Sequence, residues 1–162
     1  MMHGLLSGVD HLCKNRVMHR DLKPENVMIR KKSFQPVIVD FGLSTNVDLP
    51  EYLFFRCGTP GYVAPEIIVL TKSVHLEPTC DMFSLGAIFH ILLTRNPLFP
   101  GIKYDEVYRA NKAFKFNFEE QLYKRIDPKA LDLMKKMLIL NASERITSEK
   151  ALEHSYFSLG EG

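Results

Sequence analysis

The sequence predicts an α+β fold, mostly α, and three observations carry the prediction. Apolar residues recur at helical spacing in two stretches, Leu5, Leu6, Val9 and Leu12, then Leu131, Met134 and Leu138, and between them Met82 through Leu93 is apolar nearly all round. Three apolar runs too short for helices lie close together, Val17-Met18, Val27-Met28-Ile29 and Pro36-Val37-Ile38-Val39. Between the first two stands a polar stretch, His19-Arg20-Asp21-Leu22-Lys23-Pro24-Glu25-Asn26, which reads as a loop pinned by two strands.

Taken in order, Met2 to Cys13 forms an amphipathic helix that leads straight into this loop. Lys31 to Gln35 joins the second and third runs, a hairpin connection by its length. From Leu43 to Val63 periodicity is lost, so this is loop, with Gly58 and Gly61 permitting turns. Pro65 suits the first turn of a short helix through Ile67, Ile68 and Leu70. Met82 to Leu93 is broken only by Ser84, Gly86 and His90; it is too short to span a bilayer and forms a helix buried on most sides. Asp81 at its start suits an N-cap. Asn96 to Gly101 is a turn-rich breaker, and Tyr104 to Ala113 is helical. Phe114, Phe116 and Phe118 alternate with polar residues, which is the period of a strand. Pro128 opens a further helix, with Leu131, Met134 and Leu138 as its buried stripe and Met137 beside it. Thr147 caps a last helix, with Lys150 where a capping box places an acid.

A chain of 162 residues suffices for one domain with a sizeable core, and 46% hydrophobic against 25% charged residues is the balance of a soluble globular protein. A net charge of +2 creates no field that draws nucleic acid or a membrane surface, so neither is expected as a partner. Cys13, Cys57 and Cys80 are odd in number and fit neither a disulfide framework nor a zinc spacing, which points to a reducing compartment. Met1 to Ser7 lacks the basic region and long apolar core of a signal peptide. The expectation is an intracellular, cytoplasmic protein, with the nucleus also open to it.

Asp21, Lys23 and Asn26 set a carboxylate, an ammonium and an amide close together, and Asp40 ends the third apolar run. A polar turn between strands would explain one or two of these residues, but not the ordered set. Phosphoryl transfer needs a carboxylate to accept the proton of the attacking hydroxyl and a cation for the phosphoryl charge. It also needs hard oxygen ligands for magnesium, which Asn26 and Asp40 supply.

The stretch from His19 to Asn26 resembles the catalytic loop of the eukaryotic protein kinases, and Asp40-Phe41-Gly42 resembles that family's metal-binding triplet. Gly58-Thr59-Pro60-Gly61-Tyr62-Val63-Ala64-Pro65-Glu66 resembles the end of its activation segment. The likeness runs from about Met2 to Phe157, giving one domain over 1–157 and a tail over 158–162. It implies the large C-terminal lobe of a kinase domain, with the hairpin region carrying the catalytic loop. The small lobe, with its glycine-rich loop, strand lysine, helix C and hinge, has no counterpart in the 162 residues. ATP and Mg2+ are the implied cofactors. A protein substrate is the implied partner, together with an N-terminal lobe or a partner kinase supplied from elsewhere.

The resemblance also implies roles. Asp21 is the base, Lys23 contacts phosphate, and Asn26 and Asp40 hold magnesium. Glu25 and Met28 join Lys23, Asn26 and Asp40 around the nucleotide. Thr59 bridges Asp21 and Lys23, a serine/threonine-kinase feature that Lys23-Pro24-Glu25 shares. His19 and Phe41 belong to an internal apolar column, Asp81 anchors the catalytic-loop backbone, and Glu66 pairs with Arg145. The Phe114 to Phe118 stretch becomes an extended connection instead of a strand. Arg20 is the arginine that meets an activation-segment phosphate, yet the usual phosphorylated position holds Phe55, so packing of Phe54 and Phe55 is expected to order the segment. The Cys57 to Ala64 stretch and the ending around His154 lean toward the calcium/calmodulin-dependent group. Three functions follow: a serine/threonine kinase represented by its large lobe, a non-catalytic binding or scaffold module, and a competitor of a full kinase.

Overall fold

The computed structural model of the protein describes residues 1–49, 57–69, 76–116, 118 and 120–158. Its axis is a helix over Thr79–Thr94, in which every residue from Cys80 to His90 is buried. A helix apolar all round has to be surrounded. Helices over Met2–Lys14 and Pro128–Met137 pack against it, and a short helix over Ser148–Leu152 packs on the first. In chain order the helices are α1 (Met2–Lys14), α2 (Pro65–Ile68), α3 (Thr79–Thr94), α4 (Tyr104–Lys112), α5 (Pro128–Met137) and α6 (Ser148–Leu152). The approach of α5 to α3 depends on Gly86, where a Cβ would come within 2.8 Å of the Leu138 side chain. None of the described helices is long and apolar enough to cross a membrane.

Several sequence expectations shift by a few residues. In α1 the buried face is Met2, Leu5, Leu6, Val9 and Asp10, with Leu12 only half-buried. Asp10 is tolerated there because its carboxylate accepts the Ser148 hydroxyl at 3.1 Å and pairs with Lys14 at 2.7 Å. In α5 the buried stripe is Ala130, Leu133, Met134 and Met137, with Leu138 buried at the C-cap and Leu131 half-exposed. The expected stripe of Leu131, Met134 and Leu138 thus missed Ala130 and Leu133, because the buried face is turned by about one residue from it. Asp127 caps α5 by accepting the Lys129 and Ala130 amides, and Thr147 caps α6 by accepting the Lys150 amide.

The strands form two small antiparallel sheets, so the runs flanking the polar loop do not pair with each other. β1 (Val17–Met18) pairs with β4 (Thr45–Asn46), while β2 (Val27–Ile29) pairs with β3 (Pro36–Ile38) in the hairpin the sequence predicts. β4 lies in the stretch expected to be pure loop, and two residues are too few to show a period. α2 ends at Ile68, and Leu70 lies outside the described residues. Phe114, Phe116 and Phe118 form no strand. Phe114 takes a left-handed φ of 51°, and successive rings meet edge to face with centroids 4.7 Å apart. Aromatic clustering thus decides a segment whose period alone points to a strand.

Candidate active site

Loop 19–26 is held from behind by Asp81. The Asp81 carboxylate is fully buried and accepts the amide N–H of His19 at 2.6 Å and that of Arg20 at 2.9 Å. Burial raises its pKa above the ordinary carboxylate range, and the two amide bonds act against that rise. It makes no cap bond within α3, which begins at Thr79, so the N-cap expected at this position is replaced by the tie to the loop. The tie sustains a strained backbone. Arg20 sits at φ 67°, a left-handed conformation that costs a non-glycine residue on the order of 1–3 kcal/mol. Two charge-assisted hydrogen bonds from its own and the preceding amide offset that cost.

Side chains extend the scaffold. The buried Arg20 guanidinium donates from Nε to the Leu43 carbonyl at 2.8 Å. His19 Nδ1 receives the Asp21 amide at 3.3 Å, so its Nε2–H donates to the Val39 carbonyl at 3.0 Å. The His19 ring also meets Phe41 edge-on, with centroids 5.0 Å apart. Loop 19–26 is thereby tied both to the strand before Asp40 and to the chain after it.

On the open side the expected groups converge. The Thr59 hydroxyl donates to Asp21 Oδ1 at 2.7 Å and receives Lys23 Nζ at 3.1 Å. Lys23 Nζ also lies 3.2 Å from Asp21 Oδ2, which closes a three-membered network. Gly58 makes this approach possible. It lies at φ 106°, and a Cβ there would stand 2.9 Å from the Arg20 carbonyl oxygen. A short 3-10 turn over Pro24–Asn26 then brings Asn26 back, and its amide nitrogen donates to the Asp21 carbonyl at 2.8 Å.

That bond orients the Asn26 side chain, and its amide oxygen meets no donor among the described residues. Asn26 and Asp40 lie at the same end of the hairpin, because the Val39 amide donates to the Asn26 carbonyl at 3.0 Å. Asp40 is exposed at φ 64°, and its Oδ1 accepts the Gly42 amide at 3.2 Å. One carboxylate and one free amide oxygen are hard donors suited to Mg2+, which usually completes its octahedron with phosphate and water. The described residues contain no cluster of three or more His, Cys, Asp or Glu that would suit zinc. Glu25 and Met28 are exposed beside this end of the hairpin.

Two further contacts fix the 57–69 segment. Arg145 and Glu66 form a two-pronged ion pair at 2.6 and 2.9 Å, with the arginine side chain 0% and the glutamate 22% exposed. Asn111 on α4 was not singled out from the sequence. It is fully buried, accepts the Gly61 amide at 2.9 Å and donates to the Val63 carbonyl at 3.1 Å. No sequence signal marks it, since an asparagine within a polar helix reads as surface. Burial pushes the Cys57 thiol up despite the nearby Arg20 charge. The packing expected of Phe54 and Phe55 concerns positions outside the described residues.

The family model described as protein kinase domain matches residues 1–157. Over 158 residues the chain is 37% identical to Calcium-dependent protein kinase 4 of Plasmodium falciparum (isolate 3D7) and to its namesake in Plasmodium berghei (strain Anka), covering 96% of this chain and 29% of each relative. It is also 38% identical over 157 residues to Calcium/calmodulin-dependent protein kinase type II subunit delta of Oryctolagus cuniculus, covering 95% of this chain and 29% of that one. The chain therefore spans under a third of the length of these relatives.

Proposed function

Because the chain belongs to the protein kinase family, we propose that it is the large catalytic lobe of a serine/threonine protein kinase, passing the γ-phosphoryl group of ATP to a protein hydroxyl. The observation that carries this reading is the Asp21–Thr59–Lys23 network. The Thr59 hydroxyl fixes one oxygen of the Asp21 carboxylate and Lys23 Nζ lies 3.2 Å from the other, so the carboxylate that would meet an acceptor hydroxyl is held in one orientation. Asp21 accepts that hydroxyl's proton, and Lys23 presents its remaining proton to the transferred group. Asn26 and Asp40 would hold Mg2+, which when bound neutralises phosphate charge and orients the triphosphate. Geometry and fixed charge supply most of the catalysis available to phosphoryl transfer.

No glycine-rich loop occurs in the 162 residues, so the chain by itself is expected to transfer negligible phosphate. The test joins it to the small lobe of a relative and measures transfer to a peptide array. Transfer to serine and threonine, abolished in Asp21→Asn, supports the reading. Transfer mainly to tyrosine, or activity unchanged in Asp21→Asn, overturns it. A well-folded, ATP-binding chimera with no transfer at all would favour a binding module instead.

A further inference from the structure

The tip of the β2–β3 hairpin takes no part in the site described above. Its turn is closed by the Arg30 amide donating to the Gln35 carbonyl at 2.9 Å and the Phe34 amide donating to the Arg30 carbonyl at 2.8 Å. Residues 30–35 are all exposed, and Phe34 is 76% exposed at a left-handed φ of 54°. Three consecutive cations, Arg30, Lys31 and Lys32, precede Ser33, and no other serine or threonine in the sequence follows such a run. Among the described residues no carboxylate lies within ion-pair distance of any of the three. The Ser33 hydroxyl reaches only Gln35 Oε1, at 3.5 Å, the outer limit of a hydrogen bond. The tip therefore offers an uncommitted hydroxyl behind unpaired positive charge, with a bare aromatic ring after it.

We propose that Ser33 is phosphorylated by a second protein kinase whose substrate groove carries carboxylates that read the preceding cations. Like charges held together without a counter-ion are complementary to an acidic groove and are rejected by a basic one. In the step, Ser33 Oγ attacks the γ-phosphorus of ATP held by the acting kinase. The Oγ–P bond forms, the bond to the β–γ bridging oxygen breaks to release ADP, and the hydroxyl proton passes to that kinase's base. The product places about −1.5 to −2 of charge beside three cations, so the tip keeps only about +1 to +1.5 of its positive charge. The proposal does not depend on this chain's own activity.

The test incubates the full chain, carrying Asp21→Asn so that it cannot act on itself, with Mg-ATP and a basophilic serine/threonine kinase. A parallel arm uses an acidophilic kinase, and a third holds the unsubstituted chain with Mg-ATP alone. Sites are mapped by mass spectrometry. One phosphate on Ser33 in the basophilic arm alone, absent in Ser33→Ala, is the expected result. Reversing two charges with Lys31→Glu and Lys32→Glu should slow it about tenfold, the loss expected when two exposed ion pairs become repulsions. These exposed substitutions leave the core untouched. An unmodified Ser33, equal modification by the acidophilic kinase, modification without added kinase, or an unchanged rate in the double variant would each overturn the proposal.

Discussion

Replacing Arg145 by alanine tests the tie between the 57–69 segment and the C-terminal helices. The substitution removes a fork of 2.6 and 2.9 Å to Glu66 and donors to the carbonyls of Ile139, Thr79 and Leu140 at 2.9, 2.9 and 3.3 Å. It also removes a guanidinium stacked 5.2 Å from the Phe83 ring centroid. Breaking a buried pair from one side costs roughly 3–5 kcal/mol, because the abandoned charge stays behind. Glu66 keeps 22% exposure and can recruit water, which favours the lower half of that range. With a urea slope of about 2 kcal/mol per molar, the midpoint should fall by roughly 1.5–2 M. Glu66→Gln, which leaves the fork a neutral acceptor, should fall less. The assay is urea unfolding followed by far-UV circular dichroism on the two single variants and the pair together. An Arg145→Ala midpoint within about 0.3 M of the parent, or strictly additive effects in the double variant, would refute the reasoning.

Three other outcomes are expected. In the chimera carrying a small lobe, Thr59→Ala should lower turnover about tenfold or more while Thr59→Ser retains most of it, since only the hydroxyl bridges Asp21 and Lys23; steady-state phosphate transfer reads this directly. Asn111→Ala should lower stability by about 1–3 kcal/mol by leaving the Gly61 amide and Val63 carbonyl unpaired, visible as an earlier thermal transition. Burial holds the His90 imidazole below its ordinary 6.5, so the folded state favours the neutral ring. The stability this provides is complete above that value and declines as pH falls below it, and His90→Asn should flatten the midpoint-against-pH profile there.

The order of elements was legible because α1 and α5 carry a helical period and α3 is a nearly continuous apolar run, and the hairpin because two apolar runs flank a short polar connection. Thr59 and Arg145 were found only through motif resemblance, since nothing in their local pattern says what they touch. Their partners lie 38 and 79 positions away. The anchoring role of Asp81 was likewise legible only through the resemblance, and Asn111 was hidden for a related reason. A side chain that bonds to backbone far along the chain looks, in sequence, like ordinary surface polarity or an ordinary cap. The Phe114 to Phe118 stretch shows the converse, with a clear local period overruled by ring packing that forms only in the folded chain.

The Asp81 anchor also sets an order of events in folding. Its two bonds close loops of 62 and 61 positions, so the anchor lies far along the chain from the amides it receives. The entropy of closing such a loop has to be met before the contact rewards it. The left-handed turn at Arg20 therefore lacks these two bonds until α3 has docked. The reacting groups should assemble after the transition state, on a body already formed. Asp81→Asn should then speed unfolding and leave the folding rate nearly unchanged, a chevron whose two arms respond unequally. A slowed folding arm would place the anchor in the nucleus instead. Late assembly also means early opening, so amides of His19 and Arg20 should exchange with solvent through partial openings that leave α3 intact.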